Sequence, residues 1–239
     1  MRPTSVLFGR DPEAIGRLLS VHAPASPVIL DATANRGVMW KGCEFTPHRT
    51  LDIDPEMAPD DVGDFRSMPY PDASFDVVAF DPPHLPNASG SAGSSGIERM
   101  QYGLTGNHDY AEGDNVSPAF SPFLVEARRV LRDDGIVIAK IADLVHNHRY
   151  QFQHADFIAA AEATPGLTPC DLLIKADPAA ANLKSSKWKK VHHLRRAHCY
   201  WIVVRKGRCE RRAALYPEAG KPDDSDIMPG SEFDGPVIL

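Results

Sequence analysis

Early in the chain, three short apolar runs each close on a carboxylate: Pro27-Val28-Ile29-Leu30-Asp31, Thr50-Leu51-Asp52-Ile53-Asp54-Pro55 and Phe75-Asp76-Val77-Val78-Ala79-Phe80-Asp81. Short apolar runs bounded by turn formers suit strands buried on both faces of a parallel sheet. In such sheets ligands bind beyond the carboxyl ends of the strands. A carboxylate at each of those ends therefore predicts one edge where polar chemistry gathers.

The rest of the chain fits an α/β alternation. Residues 11–20 read as a short helix, with Asp11 as N-cap and Pro12 at the first helical position. Residues 119–132 carry Phe123, Leu124, Ala127, Val130 and Leu131 at helical spacing. Asp133-Asp134-Gly135 then turns into a strand, Ile136 to Ile141. A helix over 152–163, a strand over Asp171 to Lys175 and a last strand over His198 to Arg205 follow. Strands alternating with helices imply a doubly wound sheet. Residues 85–118 are rich in Gly, Ser and Asn and too long for an ordinary connection, so a functional lid or a disordered loop is expected there. The polar segment 207–239 reads as a flexible tail after a domain spanning 1–206.

Composition excludes more than it assigns. A length of 239 residues with 43% hydrophobic and 24% charged residues is ordinary for a folded domain, and a formal charge of −6 argues against a protein that coats nucleic acid everywhere. Cys43, Cys170, Cys199 and Cys209 are scattered without a C-x-x-C pair, and read as reduced thiols of a cytoplasmic protein. No apolar run approaches the roughly 20 residues that span a bilayer, and no secretory leader is expected. His146 and His148, or His192 and His193, lack partner ligands at metal spacing, so no metal is expected.

Four motifs carry the chemistry. In VILDATANRG, residues 28–37, a strand ends at Asp31 and a turn of small residues through Ala32 and Thr33 to Gly37 lets backbone approach a ligand closely. One glycine where a pyrophosphate cradle wants three argues against a dinucleotide. Asp52, about 20 residues further on, is placed to accept from both hydroxyls of a ribose, with Asp54 its rival. Asp64 can accept from an adenine amino group while Phe65 offers apolar surface to the ring. Asp81-Pro82-Pro83-His84 is the most specific: two prolines hold the chain extended and remove two donors, leaving carbonyls to accept. An amino group donates two N–H bonds, and a carboxylate beside such a carbonyl matches it.

The runs VILDATANRG, LDIDP and GDFRSMPYPDASFDVVAFDPPH resemble class I S-adenosylmethionine-dependent methyltransferases, over roughly residues 26–206. Asp-Pro-Pro-His resembles the D/N/S-P-P-aromatic signature of amino methyltransferases that act on adenine N6, cytosine N4 or guanine N2. The resemblance implies a Rossmann-like, mostly parallel seven-stranded sheet and S-adenosylmethionine as cofactor. It places Asp31 and Gly37 near the methionine part, Asp52 at the ribose and Asp64 at the adenine with Phe65 against the ring, and counts Ala32, Thr33 and Ile53 among the cofactor-binding residues. It gives Asp81 and the Pro82 carbonyl the target amine and lets His84 stack on the target base. The glycine-poor first motif, and His84 where Tyr, Phe or Trp is commoner, are the departures.

Residues 184–197 hold Lys184, Lys187, Lys189, Lys190, Arg195 and Arg196, interleaved with Trp188, His192 and His193. Basic residues among aromatics suit a phosphate backbone with stacked bases, and a solvated charged hairpin is the plain alternative. The expectation is an amino methyltransferase of nucleic acid, DNA ahead of RNA. A small-molecule or protein methyltransferase and a catalytically silent nucleic-acid-binding module remain open.

Overall fold

The computed structural model describes residues 4–82, 116–146, 149–177, 193–194 and 196–209. In chain order the elements are β1 (Val6–Phe8), α1 (Asp11–His22), β2 (Ile29–Asp31), β3 (Arg49–Asp52), β4 (Asp61–Val62) and β5 (Phe75–Phe80). There follow α2 (Phe120–Val130), β6 (Leu131–Ile141), β7 (Leu144–His146), β8 (Arg149–Gln151), α3 (Gln153–Ala163), β9 (Leu167–Ala176) and β10 (His198–Lys206). One-turn 3-10 helices occupy Val38–Trp40, Pro55–Met57 and Ser117–Ala119.

The main sheet has eight strands in the order β1-β9-β10-β6-β5-β2-β3-β4. Its pairings are parallel except where β10 runs antiparallel between β6 and β9. The doubly wound architecture is the expected one, with eight strands where seven are implied. The extra strand is β1, a three-residue apolar run with only Leu7 buried, which pairs with β9 at the sheet edge. From β2 the chain builds outwards through β3 and β4, then returns to β5 and builds the other way. The switch point between β2 and β5 is where open α/β sheets form their ligand crevice.

Two cores sit on the two faces of this sheet. On one, α1 packs Ile15, Leu18 and Leu19 against Val77, Ala79, Ile138 and Trp201. On the other, α2 and α3 pack Phe120, Phe123, Leu124 and Phe157 against Val78, Phe80, Val137 and Ile202. Phe80 lies flat on Phe123 with centroids 3.7 Å apart, and Phe65 meets Phe80 edge-on at 5.2 Å. Strand β5 is thus buried on both sides from Val77 to Phe80, as that apolar run requires.

Several boundaries differ from the sequence expectation, each for a local reason. Asp11 is the first residue of α1 rather than its cap; Arg10 holds the cap position without a side-chain bond, because the Asp11 carboxylate is drawn into ion pairs with Lys140 and Lys175. β6 begins at Leu131, and Asp134 takes a left-handed φ of 61° within it. At the next position a Cβ on Gly135 would lie 2.9 Å from the Arg132 carbonyl, so glycine alone fits there. Val116 is buried and Ser117 bonds Asp156 at 2.7 Å, so residues 116–118 of the expected loop belong to the folded core, and the rest of it lies outside the described residues. Residues 207–209 belong to the folded unit, not to a tail: Gly207 N donates to the Gly166 carbonyl, and Cys209 is disulfide-bonded to Cys170 with Cα atoms 5.8 Å apart. That bond corrects the expectation of four thiols: it joins Cys170 on β9 to Cys209, three residues past the end of β10 and 39 residues away in sequence. Cys199 does remain a core thiol, and burial pushes it up to about 11.

The loop between β4 and β5, which carries Asp64 and Phe65, is pinned from α2. Glu126 accepts from Met68 N at 2.8 Å, while Arg129 donates to the Met68 and Tyr70 carbonyls at 3.0 and 2.7 Å. Arg129→Met strands two carbonyls and Glu126, so urea denaturation should show a loss of about 2 kcal/mol. An unchanged midpoint would mean that the loop holds itself.

Candidate active site at the carboxyl edge

The sheet order brings the ends of β2, β3 and β5 side by side, and with them Asp31, Asp52 and Asp81. Three carboxylates at neighbouring strand ends repel, and the structure compensates each differently.

Asp31 has no exposed surface. Its Oδ2 accepts from Trp40 Nε1 at 2.7 Å and its Oδ1 from Thr33 N at 3.1 Å. Burial pushes its pKa up to about 7 against those two bonds, and the nearby negative charges of Asp81 and Asp52 add to the rise. The sequence places Asp31 beside a cofactor; the structure turns it inward, where it anchors the loop that follows β2. In that loop Asn35 and Gly37 take φ of 45° and 63°, and Ala34 N donates to the Leu51 carbonyl. Ala32 is buried, its N–H bonded to the Ala79 carbonyl.

Asp52 is satisfied by backbone, its Oδ2 accepting from Asn35 N at 2.7 Å and its Oδ1 from Asp54 N at 2.9 Å. It therefore ties the tip of β3 to the β2 loop. Asp54, its rival, is 7% exposed and caps the following turn through Glu56 N. Ile53 between them is 38% exposed, an apolar side chain left at the edge.

Asp81 is held from two sides. Its backbone N–H donates to Thr33 Oγ1 at 2.7 Å, and its Oδ2 accepts from Lys140 Nζ at 2.9 Å. The β5–β6 register pairs Phe80 with Ala139, which sets Lys140 beside Asp81. Lys140 also donates to Asp11 Oδ2 at 3.0 Å, and Lys175 pairs with the other oxygen of Asp11. The four side chains of this Asp81–Lys140–Asp11–Lys175 chain are only 17–25% exposed. Burial works against the Lys140 charge, and Asp81 and then Asp11 outweigh it, leaving its pKa above the ordinary lysine value. Sequence reasoning missed Lys140 and the second role of Asp11. The available signal was a single lysine inside the apolar run IVIAKI.

The two residues expected at the adenine each have partners within the chain. Asp64 is engaged by Arg66 through backbone N, Nε and Nη2, the last at 2.6 Å, because the arginine two residues on folds back over it. Phe65 is 7% exposed and packs into the aromatic core against Phe80 and Phe123. Of the catalytic motif, Asp81 and Pro82 are described; Pro83 and His84 lie outside the described residues, as do Lys187, Trp188, Lys189, Lys190 and Arg195. Arg196 is described and exposed, just before β10. Since β10 runs antiparallel to β6, its amino end lies at the same edge as Asp81. Among the described residues no cluster of His, Cys, Asp or Glu could hold a metal, and no helix is long and apolar enough to cross a membrane.

No protein-family profile matches the chain, and no curated protein matches its sequence. Solved structures do resemble it. The 1,6-didemethyltoxoflavin-N1-methyltransferase of Burkholderia thailandensis, solved with bound 1,6-didemethyltoxoflavin and S-adenosylhomocysteine, is 17% identical over 83% of this chain and 79% of that one, with a TM-score of 0.50. A TehB-like SAM-dependent methyltransferase of Corynebacterium glutamicum is 18% identical over 83% and 88% of the two chains, with a TM-score of 0.43. A candidate DNA modification methylase of Thermus thermophilus is 17% identical over 64% of this chain, with a TM-score of 0.39. This chain spans about half the length of that methylase, 54%. The first likeness shows the fold: a Rossmann-like sheet of the kind that SAM-dependent methyltransferases use.

The raised Asp31 predicts a pH dependence. A carboxyl that keeps its proton longer when folded stabilises the fold at low pH, and that contribution disappears as pH rises from about 4 to about 7. Unfolding free energy should fall across that window by up to about 4 kcal/mol from this group. Asp31→Asn, less stable throughout because one donor loses its acceptor, should lack that slope. A slope equal to wild type would assign the titration elsewhere.

Proposed function

We propose that the chain is an S-adenosylmethionine-dependent methyltransferase that modifies an exocyclic amino group on a nucleic-acid base. The carrying observation is Asp81: a carboxylate followed by two prolines, at the switch-point edge, clamped by Thr33 on its backbone and Lys140 on its side chain.

The residues at the ends of β2 and β3 fit the cofactor. Asn35 Oδ1 is buried without a partner among the described residues, an orphan acceptor in the turn where an amino or hydroxyl donor would be welcome. A Cβ on Gly37 would meet nothing within 4 Å, so the backbone there borders open space. Asp52 has lone pairs left for ribose hydroxyls, and exposed Ile53 offers an apolar contact to an adenosyl group. Asp31 and Thr33 act behind them as positioning residues. When bound, S-adenosylmethionine supplies an electrophilic methyl group on a sulfonium.

The protein's own task is to prepare the amine. Its lone pair is delocalised into the base and makes it a poor nucleophile. Asp81 and the Pro82 carbonyl accept its two N–H bonds, which draws the nitrogen towards tetrahedral geometry and orients its lone pair. Lys140 fixes the rotation of the Asp81 carboxylate and favours its charged form. Catalysis on this scheme is positioning plus electrostatics, and requires neither a metal nor a covalent enzyme intermediate. A base in a duplex is extruded first, while an unpaired one is reached directly.

Incubation with radiolabelled S-adenosylmethionine and, separately, duplex DNA, single-stranded DNA, RNA and a metabolite extract tests the reading. Label in a nucleic acid, reduced at least about a hundredfold in Asp81→Ala, is the expected result. Label confined to the extract would replace the nucleic acid with a small molecule. Absence of cofactor binding would remove the enzyme reading altogether.

Lys140→Met tests the second clamp. A carboxylate deprived of its ammonium neighbour protonates more readily, so activity should fail at higher pH than in wild type, with about a tenfold or larger deficit at pH 6. A profile that scales down without moving would mean that Lys140 is only structural.

A further inference from the structure

Beside the carboxylates, the same edge carries a run of rings that the methyl-transfer scheme does not use. It continues from His193 through Tyr150, Phe152, His154 and Tyr200 to His198, with successive centroids 6.1, 4.6, 6.4, 4.0 and 5.2 Å apart. Three segments supply it: hairpin β7–β8 with the start of α3, the residues before β10, and β10 itself.

The run is held from beneath by one buried acid. Asp143 is 2% exposed; it accepts from Tyr150 OH at 3.1 Å and from His154 Nδ1 and N at 2.7 and 3.2 Å. His154 in turn lies nearly parallel to Tyr200, at 17°. Yet the run is not a core: Phe152 is 58% exposed, and Leu194 beside His193 is 93% exposed. Its cations are also outward. Arg149 is exposed next to Tyr150, and exposed Arg196 lies close enough to feel both Tyr150 and Asp143. Tyr200 pairs with Ile141, directly after Lys140, so it stands two strand spacings, about 10 Å, from the strand that ends in Asp81. Tyr200 packs on the α3 side of the sheet whereas Lys140 joins Asp11 on the α1 side, so a ligand touching both crosses the edge itself.

We infer that this aromatic run is a stacking platform for unpaired nucleobases flanking the target, with Arg149 and Arg196 on the phosphates, so that the substrate is single-stranded DNA or RNA. Flat rings tolerate any base, since every base has a π-face, and cations alongside follow the backbone. The inference rests on the nucleic-acid reading above and narrows it: a duplex presents no unpaired neighbours to stack.

Fluorescence anisotropy with labelled 12-mers tests it, using single-stranded DNA, single-stranded RNA and a blunt duplex of the same sequence. Wild type should bind at least one single strand more tightly than the duplex. Phe152→Ala and Phe152→Leu should each weaken that binding about fivefold or more, and Phe152→Trp should keep it. Leucine retains the apolar bulk and loses the ring, so a merely structural Phe152 would tolerate it. Equal binding by Phe152→Leu and wild type, or a preference for the duplex, would overturn the platform. The labelling assay reads separately: nucleic-acid label with unchanged Phe152→Leu binding sinks the platform alone, while single-strand binding lost on Phe152→Leu without any nucleic-acid label sinks the methylation reading alone.

Discussion

Carboxylates at the ends of adjacent buried strands stand within a few ångströms of one another and of apolar walls, where like charges repel strongly. Asp31, Asp52 and Asp81 meet that condition at the switch point, and most of the polar structure around them answers it. Asp31 is turned inward onto the Trp40 indole and held near neutrality by burial. Asp52 accepts one backbone N–H on each carboxylate oxygen. Asp81 receives a lysine. These solutions are coupled, because Thr33 donates to Asp31 through its N–H and accepts from Asp81 through its hydroxyl. Disturbing one carboxylate therefore moves the loop that positions another.

The aromatic core serves the same edge from the opposite direction. Phe80, the residue before Asp81, is sandwiched against Phe123 and flanked by Phe65 and Phe157. Packing at this density leaves β5 no freedom to slide, and a shift of one residue would turn Asp81 to the other face. The ion chain from Asp81 through Lys140 to Asp11 extends that restraint to α1, on the far face of the sheet. Catalytic geometry here depends on the packing behind the strand as much as on the motif after it.

Where the residue-by-residue reading is incomplete, the side chain has a partner that the reading did not include. Asp64 accepts from Arg66 and Phe65 packs into the core, engagements that their place after β4 does not announce. Asp11 reads as a helix cap until two lysines from distant strands reach it. Cys170 and Cys209 read as separate thiols until the chain beyond β10 folds back beside β9. Each case needs a partner remote in sequence or a side-chain direction that periodicity does not specify.

The apolar runs, their terminal carboxylates and the intervening helical spacings determine by themselves a doubly wound sheet and the edge on which its chemistry lies. Those are consequences of period and burial, which the chain states locally. The tertiary structure alone decided which of the three acids faces inward, which lysine answers Asp81, and that Tyr150, Phe152, His154 and Tyr200 line up beside it. Strand order brought those groups together, and strand order is settled by long-range pairing that no short stretch of sequence encodes.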